Sequence, residues 1–201
     1  MVEAPRHLQS CPLDRVWIPG HFGAPVTEPN TGIRLERTTP DILIQLCLFA
    51  GQEKKAAAGL KKIGIKPFPQ VGQSTLNDDL SVYAPCSGRY LIECGSSGMF
   101  ADLRREIPAD IGSVTDLSSA RTVLTASGKR IEDVLLKGIA IDFHRQTFPA
   151  GTVAETNIHQ MPVMIVRLAE DQFRIFTYST YAVSTLHWLE TACHGFGFER
   201  I

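Results

Sequence analysis

Two stretches of this chain lie over each other without a gap. "RYLIECGSSGMFADL", beginning at Arg89, and "QFRIFTYSTYAVSTL", beginning at Gln172, align at an offset of 83 residues. Tyr90 falls on Phe173, Ile92 on Ile175, Phe100 on Val183, Leu103 on Leu186, and Ser96 on Ser179. Each copy reads as an alternating apolar strand, a serine-bearing corner and the apolar stripe of a helix. A unit of this size cannot bury its own sheet face, so two of them imply one shared fold. The expected class is α+β, built from tandem ferredoxin-like β-α-β-β-α repeats.

The rest of the pattern fits that plan. "DILIQLCLF" (Asp41 to Phe49) reads as a strand and Gly51 to Ile63 as a helix. "LSVYA" (Leu80 to Ala84) and "RYLIEC" (Arg89 to Cys94) read as strands, and a helix capped by Ser96 or Ser97 runs to Ile107-Pro108. The order then returns: a strand from Arg121 to Thr125, and a helix capped by Ser127 and ended by Gly138. Strands follow around 151–158, 162–168 and 172–178. A last helix from Tyr181 to Cys193 places Val183, Leu186, Leu189 and Cys193 on one stripe, and Gly195 stops it. The expected organisation is an arm over 1–32 and a domain over 33–201, with halves of about 33–112 and 113–201.

The arm stands apart. Pro12, Pro19, Pro25 and Pro29 exclude a regular helix. Yet it carries Leu13, Val16, Trp17, Ile18 and Phe22, which a disordered tail would lack. Either it folds back on its own domain, or it is an extended element whose Leu13, Trp17, Ile18 and Phe22 dock on a partner chain.

Composition narrows the function. A formal net charge of −1 over 201 residues, with no Lys/Arg run, argues against nucleic acid and against a polybasic membrane surface. No apolar run nears the roughly 20 residues of a spanning helix. "MVEAPRHLQSCPLDRVW" does not read as a signal peptide. Five cysteines, odd in number and without a C-x-x-C pair, read as reduced thiols in a cytoplasmic protein.

Candidate chemistry is sparse. The Ser127-Gly128 corner and the "GSSG" of Gly95 to Gly98 could cradle an anion, but each reads first as an ordinary helix cap. No dinucleotide or P-loop glycine pattern occurs. Asp142 and His144 would share a side of an extended segment and could act as base and orienter, the basis of a small-hydrolase reading, with His159 further on. Cys193-His194 joins a thiol to an imidazole, but neighbours at a helix end diverge. Asp78-Asp79 and Glu170-Asp171 read as turn residues. Glu132 and Asp133 suit the positive end of a helix. The expectation is that no catalytic, cofactor or metal residue lies in this chain.

One longer pattern is specific. It comprises Asp116-Leu117-Ser118, Arg121, Ser127-Gly128, Leu135-Leu136-Lys137-Gly138, Asp142, Phe148-Pro149, Gly151, Tyr181-Ala182 and Trp188. This resembles the gamma subunit family of heterotetrameric sarcosine oxidase, specifically over Asp116 to Gly195 and more weakly over Ile42 to Ile107. The resemblance implies a fold similar to the folate-binding domain of aminomethyltransferases, of the T-protein type. It implies a non-catalytic subunit of a complex that oxidatively demethylates sarcosine or a related N-methyl amino acid and passes the one-carbon unit to tetrahydrofolate. FAD, FMN, NAD, tetrahydrofolate and zinc are then held by the other subunits, and the partners are alpha, beta and delta chains. The alternatives are a gamma-type subunit of N-methylglutamate dehydrogenase and a free-standing folate-binding or aminomethyltransferase-like protein.

Overall fold

The computed structural model describes residues 11–25, 32–38, 42–65, 68–77, 79–96 and 98–201. Twelve strands are present among them: β1 (Gly20–Phe22), β2 (Ile33–Thr38), β3 (Ile42–Leu48), β4 (Gln73–Thr75), β5 (Leu80–Cys86), β6 (Arg89–Cys94), β7 (Gly112–Asp116), β8 (Arg121–Ser127), β9 (Val153–Ile158), β10 (Met161–Ala169), β11 (Gln172–Tyr178) and β12 (Phe198–Arg200). The α-helices are α1 (Glu53–Lys62), α2 (Met99–Glu106), α3 (Ile131–Leu135) and α4 (Ala182–Cys193).

The strands form two sheets. One has seven strands in the order β1-β12-β2-β8-β11-β10-β9, the other five in the order β4-β5-β6-β3-β7. Period-2 alternation gives each sheet two apolar faces. On the outer face of the five-stranded sheet, Ile44, Leu46, Val82, Tyr90 and Ile92 pack against Ala56 and Leu60 of α1 and Leu103 of α2. On the outer face of the seven-stranded sheet, Leu124, Ala126, Phe173 and Ile175 pack against Val134 of α3 and Leu186 and Leu189 of α4. The inner faces meet through Leu43, Tyr83 and Leu91 from one sheet and Val123, Met164, Val166 and Phe176 from the other. The result is four layers, helices outside and two sheets within, as two repeated units need to bury both faces of each sheet.

The repeat is visible in the register. Ile175 lies opposite Leu124 as Ile92 lies opposite Ile44, and Phe173 lies opposite Ala126 as Tyr90 lies opposite Leu46. The strands that precede each unit change sheets. β2, which leads into β3, pairs with β8, while β7, which leads into β8, pairs with β3. Each sheet is therefore completed by the other half of the chain.

The Ser127 cap predicted from sequence is absent. Ser127 is the last residue of β8, and α3 starts from Arg130 with no side-chain cap. The ladder extends because Ser127 pairs with both Gln172 and Arg34. Gly128 has φ +129°, and a Cβ there would meet the Gly32 carbonyl oxygen at 2.5 Å, so its glycine serves a close approach of chains. In the first unit α2 starts from Gly98, again with no side-chain cap. Ser97 lies outside the described residues, as does Asp78.

The arm has two fates. Leu13 is wholly buried in the chain's own core, with Val16, Trp17 and Phe22 packed against that core. Removing a leucine side chain from water stabilises a fold by roughly 1.5–3 kcal/mol. Leu13 is therefore corrected from a partner contact to a core residue. Phe22 sits on β1, which adds an edge strand by pairing with β12, and its ring stacks on Phe198 at 5.4 Å. Trp17 donates from its indole N–H to the Ile201 carbonyl at 3.2 Å. Ile18 alone of the four remains 64 % exposed.

Candidate functional site

The residues of the Asp116–Trp188 pattern hold the fold together. Lys137, just past α3, donates to the Ala192 carbonyl at the end of α4 at 2.5 Å and lies over the Phe196 ring. This places a cation at the negative end of a helix. Gly138 follows because Trp188 lies against its backbone: a Cβ would meet the ring at 2.5 Å. Phe148 and Phe143 bury together on Phe173. Arg167, 1 % exposed, donates to the Phe143 carbonyl at 2.6 Å and to Glu132 Oε1 at 2.5 Å. Glu132 thus balances a buried charge as well as sitting in a first helical turn.

The proposed dyad does not form. Asp142 Oδ1 accepts the backbone N–H of His144 at 2.9 Å, and the N–H of Gln146 approaches His144 Nδ1 at 3.4 Å. These are turn contacts on an exposed segment, and the backbone hydrogen bond holds the Asp142 carboxyl below its usual range. His159, with φ +52°, lies edge-on to Trp188, away from this turn. Cys193 is fully buried on α4, and burial pushes its thiol up to about 12, far from a thiolate at neutral pH. Asp79 sits at the bend before β5, and Glu170 and Asp171 at the β10–β11 turn, where both face Arg145. Among the described residues no group of three or more His, Cys, Asp or Glu is placed to hold a metal ion.

The Ser127-Gly128 corner lines an open groove of about 480 Å³ with His21, Arg34, Lys129, Asp171 and Glu199. Glu199 there faces both Arg34, at 3.5 Å, and His21, at 3.7 Å. Cations and carboxylates mix along it, so it offers no single-sign field to an anion.

Sequence reasoning missed the polar ends of the inter-sheet layer. At one end the Tyr83 hydroxyl donates to Glu93 Oε2 at 2.6 Å, and Arg174 Nη1 donates to the same oxygen at 2.7 Å and to the Tyr83 oxygen at 3.1 Å. Burial, with Glu93 adding to it, raises the Tyr83 phenol above its ordinary value. Arg174 and Phe176 share the inner face of β11, and two residues on is Tyr178 at the other end. There Arg121 stacks on the Tyr178 ring at 3.6 Å, and Arg89 pairs with Glu155. A pocket of only about 10 Å³ separates Arg121 from Gln45, Leu91, Met164 and Phe176. Alternation along β6, β8 and β11 marks these as inward positions. The charged residues there were the available signal, but which sheet faces which is not written locally.

The profile of the family "Sarcosine oxidase, gamma subunit family" matches residues 79–194, more than half of the chain. The sarcosine oxidase subunit gamma of Corynebacterium sp. (strain P-1) is 31% identical over 105 residues, 50% of this chain and 52% of that one. That of an Arthrobacter species is 30% identical over 105 residues, 52% of each. This chain matches about half the length of those relatives. Among solved structures, a chain of the heterotetrameric sarcosine oxidase from Corynebacterium sp. U-96 superposes with a TM-score of 0.80 at 20% identity, covering 94% of this chain and 96% of that one. The glycine cleavage system aminomethyltransferase T from Bartonella henselae gives 0.60 at 18% identity, covering 85% of this chain and 48% of that one. Both likenesses are of fold.

Proposed function

The chain belongs to the sarcosine oxidase gamma subunit family, and from that premise we propose that it is a non-catalytic gamma subunit of a heterotetrameric oxidase. That complex oxidatively demethylates sarcosine or a related N-methyl amino acid and transfers the one-carbon unit to tetrahydrofolate. The alpha, beta and delta partners carry FAD, FMN, NAD, tetrahydrofolate and zinc. The observation that carries the reading is the family match over residues 79–194, whose Lys137, Gly138, Phe148 and Trp188 are all spent on packing. A motif made of packing residues suits a scaffold. The exposed Ile18, next to Trp17 in the chain, supplies an apolar contact of the kind that anchors a subunit interface.

The test is to produce the full chain with the other three subunits and recover it by an affinity tag. The expected result is a flavin-bearing complex that oxidises sarcosine, and a chain that alone is colourless and inactive. Ile18→Asp should lower recovery of the complex about tenfold while leaving the thermal midpoint of the isolated chain in place. A chain that stays alone and binds a tetrahydrofolate at micromolar affinity overturns the subunit reading in favour of a free-standing folate protein. Turnover of N-methylglutamate in place of sarcosine redirects it to the dehydrogenase.

A further inference from the structure

Arginines that the fold buries, wholly or in part, come with a carboxylate. Arg167 has Glu132, Arg174 has Glu93 and Arg200 has Glu190, at 2.5, 2.7 and 2.6 Å. Arg89 has Glu155 and Arg37 has Asp14. Arg121 is the half-buried exception among the described residues. Its Nε is buried with no acceptor, as are those of Arg89, Arg167, Arg174 and Arg200; what sets Arg121 apart is that the carboxylate acting on it, Glu155, is already engaged by Arg89. Two guanidinium groups thus share one carboxylate, which leaves a local charge of +1 where burial disfavours it.

On its inner side Arg121 meets a pocket of about 10 Å³, room for one water and no more. Any anion must therefore arrive from outside. That side is aromatic. Tyr178 stacks on the guanidinium and is 41 % exposed. Arginine and tyrosine, pre-stacked and open to solvent, are the residue types that dominate protein interfaces. Stacking holds the planar fork ready for a carboxylate at low entropic cost.

We propose that Arg121, backed by Tyr178, is a docking point for a carboxylate side chain presented by a partner subunit. The inference rests on the subunit reading above. The partner's carboxylate supplies the counter-charge that this fold gives to its other buried arginines, and contact with the protein surface around it excludes water from the pair.

The test uses the full chain produced with the other oxidase subunits, with recovery of the complex measured from about 50 to 500 mM salt, a span over which exposed charge pairs become screened. Arg121→Gln should weaken recovery by at least about tenfold at low salt and flatten its salt dependence. Arg121→Lys, which keeps the charge but not the fork, should fall between. Tyr178→Ala should weaken recovery several-fold. Wild-type recovery of Arg121→Gln and Tyr178→Ala across the series overturns the proposal. Should Arg121→Gln fail to fold, Tyr178→Ala, at an exposed position, decides in the same way. If the unmodified chain recovers no subunit at all, the subunit reading falls first and this inference falls with it.

Discussion

The two ends of the inter-sheet layer are built from the same residue types and balanced differently. At one end Tyr83, Glu93 and Arg174 form a closed, charge-balanced set joined by contacts of 2.6 to 3.1 Å. At the other, Arg89, Arg121, Glu155 and Tyr178 leave one guanidinium without a carboxylate of its own. The closed end is shielded: the side chains of Arg174 and Glu93 are 21 % and 14 % exposed, against 36 % and 38 % for Arg89 and Glu155. A charge-balanced buried set fixes the facing of two sheets, because an unbalanced charge is costly in low dielectric. An unbalanced set nearer the surface is partly screened by solvent in the free chain and stays available to a partner.

The largest test of this contrast is Glu93→Gln. It leaves Arg174 charged and unbalanced between the sheets, and should cost about 3 kcal/mol. For a chain of this size the thermal midpoint should then fall by roughly 6–12 °C in calorimetry. A fall no larger than that of Glu155→Gln would erase the distinction between the ends.

Tyr83→Phe comes next, at about 1–2 kcal/mol for the lost hydroxyl contacts, and it carries a pH signature. The folded phenol is raised above its unfolded value of 10.0. Its contribution is therefore complete below pH 10.0 and is lost as pH rises from there toward the folded value. Denaturant melts of the wild type should weaken above that point, and Tyr83→Phe should remove this part of the decline. An unchanged alkaline slope in the variant would place the titration elsewhere.

The smallest effect belongs to Glu155→Gln. Its pair is more than a third exposed, so solvent screens it, and the stability change should be about 0–1 kcal/mol. A loss matching that of Glu93→Gln would mean that the open end is as structural as the closed one.

The long periodic elements were legible in the sequence. β3, β5, β6, β8, β10, β11 and α4 fall where alternation or a helical stripe predicted them, and Tyr90 and Phe173, paired by the internal alignment, both lie on helix-facing sheet surfaces. The strands β1, β2, β4, β7 and β12 were not. β1, β4 and β12 have three residues each, too short for a period, and β12 lies beside Ile33, far away in sequence. The candidate site suffered likewise. Asp142 and His144 are close in sequence and make a turn, whereas Arg121, Tyr178 and Arg89 come from three strands.

Local pattern thus determined the class, the repeat and which faces are apolar, since these follow from side-chain periodicity within each element. Tertiary structure alone decided that β2 and β7 exchange sheets and that Leu13 enters the core. It also decided that Ser127 extends a strand instead of capping a helix, and that Arg121 has no carboxylate of its own among the described residues. Each of these is a question of which distant group fills a place, and the chain answers it only when both sheets close on one another.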